Sequence, residues 1–145
     1  MREDALRKAA RVVPRVKARL EALIESVRSG LPPGPAEQLH KAAARPRHSM
    51  DQLASLLEDG RVESSAVPPT YRAPEIDRPT ATRLVRELDD VIREIEDEIL
   101  NPLEDALSDE EELRRVKRQI GSVWGEIIGS LQGPLWKQYP DLAPK

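Results

Sequence analysis

Apolar residues recur in steps of three and four along most of this 145-residue chain, a spacing that points to packed helices. In the first segment Leu6, Ala9, Val13, Val16, Leu20, Leu23 and Val27 form a seam sustained over three heptads. The seam predicts a helix from about Glu3 to Ser29, with Pro14 inside it. A proline there removes one intrahelical hydrogen bond and crowds the preceding turn, so a kink is expected. The seam keeps its phase across Pro14, which favours one helix over two. Gly30 and the turn Leu31-Pro32-Pro33-Gly34-Pro35 close it. No stretch alternates with period two convincingly enough to predict a strand.

Prolines punctuate the rest. A second helix is expected from Pro35, covering Ala36 to about Ala44 and broken by Pro46. Ser49 with Gln52 forms a capping-box pattern for a further helix, Met50 to Glu58, whose apolar face is Met50, Leu53, Leu56 and Leu57. Gly60 ends it. Residues 60–79 hold Pro68, Pro69, Pro74 and Pro79 and read as a linker, with Val67, Tyr71 and Ile76 as the groups to pin it. A third helix runs from near Thr80 past Leu100, with Leu88, Ile92, Ile95 and Ile99 on one side. Asn101-Pro102 is expected to kink or end it. Ser108-Asp109-Glu110-Glu111 caps a fourth helix, whose seam is Leu113, Val116, Ile120, Val123 or Trp124, Ile127 and Leu131. Gly133-Pro134 is expected to stop it, and Trp136, Tyr139 and Leu142 to fold back on the core. The prediction is an all-α, four-helix-bundle-like fold, its second helix broken, with a proline-rich connecting strap. It is read as one helical domain: helices in 1–59, linker 60–79, a helical pair in 80–133 and a tail, 134–145.

The fourth helix also carries Gly121, Gly125, Gly129 and Gly133, one every fourth residue. Glycine in a helix interior costs about 0.8–1.0 kcal/mol relative to alanine. Gly133 belongs with the expected stop, so three glycines call for a packing explanation. On a helix wheel they lie beside the apolar seam, next to Trp124 and Ile128. A ridge without side chains lets a neighbouring backbone come close. Gly121, Trp124, Gly125, Ile128 and Gly129 are therefore the expected interaction residues.

The net charge of −3 hides segregation. Residues 1–61 carry 12 basic and 8 acidic groups, residues 62–112 carry 5 and 16, and residues 113–145 carry 6 and 2. The plain expectation is an acidic helix packed beside basic neighbours; the sharper one is a basic partner on the acidic middle. Lys8, Arg11, Arg15 and Arg19 share one face of the first helix, where they can track phosphates. With a negative total and no aromatic among these basic groups, nucleic acid is the alternative reading only.

Catalytic and metal chemistry find little support. The chain has no cysteine, which excludes disulfides and thiolate metal sites. Glu37-Gln38-Leu39-His40 is a single Glu-x-x-His pair, where di-iron bundles need two. The carboxylates Glu87, Asp90, Glu94 and Glu98 read as a solvated face. No Gly-x-Ser-x-Gly and no phosphate-binding glycine loop occurs. Pro68-Pro69-Thr70-Tyr71 matches the short Pro-Pro-x-Tyr pattern of WW-type ligands, and is read as a turn and strap. No N-terminal signal pattern and no membrane span are visible, so the expected location is cytoplasmic.

After its Ser108-Asp109 start, the fourth helix continues with Glu112-Leu113-Arg114 and Trp124. In these features Ser108 to Gln132 loosely resembles the last core helix of the helical, ring-forming bacterial proteasome activators. The resemblance covers under a fifth of the chain. The segment Asp141-Leu142-Ala143-Pro144-Lys145 differs from the Gly-Gln-Tyr-Leu ending by which that family docks, and no residue role is carried over. The expected role is a non-enzymatic helical interaction or assembly protein without cofactor. Its partner is a protein or a second copy of the chain.

Overall fold

The apolar seams turn inward on four long helical runs, and the computed structural model, which describes residues 2–144, is all-α. Helix α1 (Arg2–Arg28) runs unbroken through Pro14 and buries Ala9, Val13, Val16, Leu20, Leu23 and Val27. It is the centre of the bundle, touching α2 (Pro33–Ala42), α3 (Ala44–Asp59), α4 (Arg78–Ile95) and α5 (Asn101–Ala106). Helix α6 (Glu110–Ile127) lies chiefly against α3. Among the described residues there is no strand.

Two of the proline-marked helix starts differ from the sequence reading. Helix α2 begins at Pro33, before Pro35. Helix α3 begins at Ala44, so Pro46 lies in its first turn and opens a helix where a break was expected. The N–H groups of a first turn have no intrahelical acceptor, so proline loses nothing there. Ser49 is consequently buried within α3, and its carbonyl accepts a hydrogen bond from Gln119 Nε2 at 3.1 Å. The end of α3 is as expected: Gly60 takes φ 75° and its N–H donates to Leu56 O.

Neither later proline stops its helix. A π-helical turn, Glu96–Leu100, joins α4 to α5, and a second, Ile128–Gln132, joins α6 to α7 (Gly133–Gln138). Each widened turn closes with an N–H donating five residues back, Asn101 to Glu96 O and Gly133 to Ile128 O. Pro102 and Pro134 come directly after, in the first turn of a restarted α-helix, where the missing N–H is tolerated. An α-helix would pair the Ser130 carbonyl with the N–H of residue 134. Proline has none, and that carbonyl accepts from the Ala73 N–H at 2.8 Å. Gly133 therefore belongs to a helix continuation, not a stop. A Cβ on it would lie 2.8 Å from Ile128 O. Buried Gln132 ties the same turn to α4 by donating to Val85 O at 3.1 Å and Asp89 Oδ1 at 2.7 Å. The N-cap of α6 is Asp109, one residue past Ser108; its carboxylate accepts the N–H groups of Glu111 and Glu112.

Between α3 and α4 the strap has no regular structure, yet its second half is fixed. Ala73, Pro74 and Ile76 are buried. Gln138 donates to Pro74 O at 3.0 Å and accepts from the Ile76 N–H at 3.1 Å, and Tyr139 Oη donates to Ile76 O at 2.6 Å. Of the three expected pins, Ile76 holds by burial, whereas Tyr71 is 39% exposed and meets Lys41 Nζ, 5.5 Å from its ring centre. Val67 is 57% exposed and pins nothing. Trp136, Tyr139 and Leu142 fold back against the core, as expected of the tail. Asp141 pairs with Arg78 at 2.7 Å, and that guanidinium lies over the Tyr139 ring.

The Gly133→Ala variant should lose about 1–2 kcal/mol in chemical denaturation, because overpacking against a backbone carbonyl exceeds the gain in helix propensity. A second test concerns acid. The hydrogen bond from Arg78 holds the Asp141 carboxyl below the usual carboxylate range. Its folded value is thus below its unfolded one, so its contribution is complete at neutral pH and is lost as the pH falls below about 4. Tyr139 ring shifts followed by NMR should report loosening of the tail in that range, and Asp141→Asn should show the loosened shifts at neutral pH.

Candidate interaction surface

The seam of α6 buries Val116, Ile120, Val123 and Ile127 against the bundle and leaves its outer side bare. Gly121, Gly125 and Gly129 are exposed along that side, and a Cβ built on any of them meets nothing within 4 Å. Among the described residues no other helix approaches the stripe within 4 Å of such a Cβ, so close packing inside the bundle does not offset the cost of these glycines. Ile128, 38% exposed, stands beside them as one of few exposed large apolar side chains. Trp124 is half-buried, and its Nε1 is buried without a hydrogen-bond partner. The five expected interaction residues thus lie on one continuous helical run, Gly121, Trp124 and Gly125 in α6 and Ile128 and Gly129 in the π-helical turn after it: four are exposed, and Trp124 is packed in part against the core.

The basic face of α1 divides in two. Arg15 pairs with Glu94 at 3.4 Å and also with Glu98. Arg19 pairs with Glu94 at 3.0 Å and Asp90 at 3.9 Å. Lys8 and Arg11 are exposed and make no ion pair among the described residues. Half of the expected phosphate-tracking face is therefore occupied by the acidic face of α4, and opposite charges meet inside one bundle. Further pairs join distant elements. Arg2 pairs with Glu112, and Arg45 forms a two-pronged contact with Glu126 at 2.7 and 3.0 Å. That hydrogen bonding raises the Arg45 guanidinium above its ordinary value. Arg45 also donates to Pro68 O, so the Pro-Pro-x-Tyr segment is strapped to α3 at one end and stacked under Lys41 at the other.

At one end of the bundle α1, α3 and α6 enclose a cleft of about 440 Å³. Leu6, Ala10, Leu57 and Val116 line its apolar part, and the Arg2–Glu112 pair is on its rim. No histidine or serine lines it. Among the described residues no group of three or more His, Cys, Asp or Glu side chains is arranged to hold a metal ion. Among the described residues no helix is long and apolar enough to cross a membrane.

Fold and surface together define a helical bundle with a strapped core and one bare helix face. Neither a known protein family, nor a curated protein, nor a solved structure matches this chain.

Sequence reasoning located the glycine stripe but missed the contacts that fix the strap. One signal was present: Pro134 implies an unpaired carbonyl four residues earlier, at Ser130. Finding its donor 57 residues away, at Ala73, needs the three-dimensional fold.

With open space around the stripe, the double variant Gly121→Ala/Gly125→Ala should stabilise the isolated fold by about 1.5–2 kcal/mol from helix propensity alone. Calorimetry should record this as a Tm rise of roughly 4–8 °C. A fall in Tm would mean that a second chain covers the stripe.

Proposed function

We propose that this is a non-enzymatic helical interaction protein whose outer α6 face docks against another helix. The observation that carries this reading is the set of three glycines on one helical run, two in α6 and Gly129 in the π-helical turn after it, uncovered by the described fold and flanked by exposed Ile128. Each glycine weakens its own helix and lets a second backbone approach where side chains would hold it off. A protein partner fits this face better than nucleic acid does. Gly121, Gly125, Gly129 and Ile128 carry no charge, while the basic face of α1 has two of its four cations paired with α4. The role, the partner and a cytoplasmic location all belong to this reading.

The first partner to test is a second copy of the chain. Light scattering should give a mass above the 16.3 kDa of one chain, and Gly125→Leu should return it to 16.3 kDa with helical content retained. A Gly125→Leu protein that keeps the wild-type assembly contradicts docking at this face. A wild-type mass of 16.3 kDa at every concentration removes the second copy as partner.

A further inference from the structure

We propose that the second half of the strap and the C-terminal residues beyond α7, from Tyr139 on, form one latch, which opens as a unit while α7 and the rest of the bundle stay folded. Among the described residues, the segment from Arg72 to Ile76 bonds only to other elements. Gln38 donates to Arg72 O at 3.0 Å, and the Ala73 N–H donates to Ser130 O at 2.8 Å. Gln138 serves Pro74 O and the Ile76 N–H with the two ends of one primary amide. This is the pairing that a neighbouring strand would offer, supplied here by a side chain. Tyr139 Oη completes the set at Ile76 O.

The dependence is reciprocal. Beyond α7 the tail is held by Tyr139 Oη on the strap, by the Arg78–Asp141 pair, and by Arg78 over the Tyr139 ring at 4.8 Å. Three of the strap's contacts rest on two adjacent side chains, Gln138 and Tyr139, so losing either weakens several together. The apolar burial to be undone is small: Ala73, Pro74 and Ile76 in the strap, with Tyr139 and Leu142 only partly covered. The α-helices are held by the whole seam of the core, so the latch lies at the low-stability end of the molecule. Opening bares the Ser130 carbonyl and the Gln138 amide, both groups that read an extended backbone.

Amide hydrogen exchange of the full chain, followed by NMR, tests this. The Ala73 and Ile76 amides should share one opening equilibrium and be less protected than Leu20 in α1 or Leu88 in α4. Gln138→Ala leaves the acceptor of Ala73 untouched, yet by removing two hydrogen bonds from the strap it should speed Ala73 exchange about tenfold or more. Leu20 and Leu88 should not change. Tyr139→Phe, which keeps the ring, should speed Ala73 by a smaller factor, and it decides the matter if Gln138→Ala lowers protection throughout the bundle. Ala73 exchange that ignores both variants, or that matches Leu20 and Leu88 in the wild type, overturns the latch.

Discussion

A proline without an N–H, placed where a helix has to continue, organises much of this molecule. Pro134 denies the Ser130 carbonyl its ordinary partner, and the π-helical turn just before it lets the chain restart as α7. The restarted helix brings Gln138 and Tyr139 to the strap, and the strap returns the Ala73 N–H to Ser130. Leaving a buried polar group unpaired costs about 1–3 kcal/mol, whereas an exposed ion pair contributes at most about 1 kcal/mol. The course of the strap is therefore governed more by these backbone groups than by the many charges around it. The same turn places Gln132 against Val85 and Asp89, joining α6 to α4 where the seam alone leaves their register loose.

Charge has a secondary part. The acidic face of α4 meets Arg15 and Arg19 of α1, and Arg45 clamps α3 to Glu126 of α6. Most of these side chains remain partly exposed, so salt screens them and each contributes little. Their use is orientational: the segregation that looks like a steering field along the sequence is largely closed within the bundle.

The seams were legible because burial follows the three-and-four spacing directly: Val13, Val16 and Leu20 face inward as read, and so do Leu88, Ile95 and Ile99. The proline positions were legible and their meaning was not. Pro46, Pro102 and Pro134 look like stops in sequence, but a first turn or a widened turn removes the clash. The order of the strap rests on Gln138 and Tyr139, over sixty residues from Pro74 and Ile76, and no local pattern encodes such a pairing. For the candidate surface the cost of the glycines could be read from helix propensity. Which neighbour stands opposite could not, because open space and a packed backbone demand the same small residue. Gly133 shows the converse: in sequence it reads as a stop, and it is the one member of the ladder that its own backbone requires.

The bare face of α6 and the strapped face beside it thus have different origins, one in missing side chains and the other in a missing N–H. The central structural claim is the bond between Ala73 and Ser130. A long-range HNCO spectrum detects electron coupling across such a bond. It should show a cross-peak between the Ala73 nitrogen and the Ser130 carbonyl carbon. An absent cross-peak, together with an Ala73 amide that exchanges at the rate of an unprotected peptide, would contradict the account.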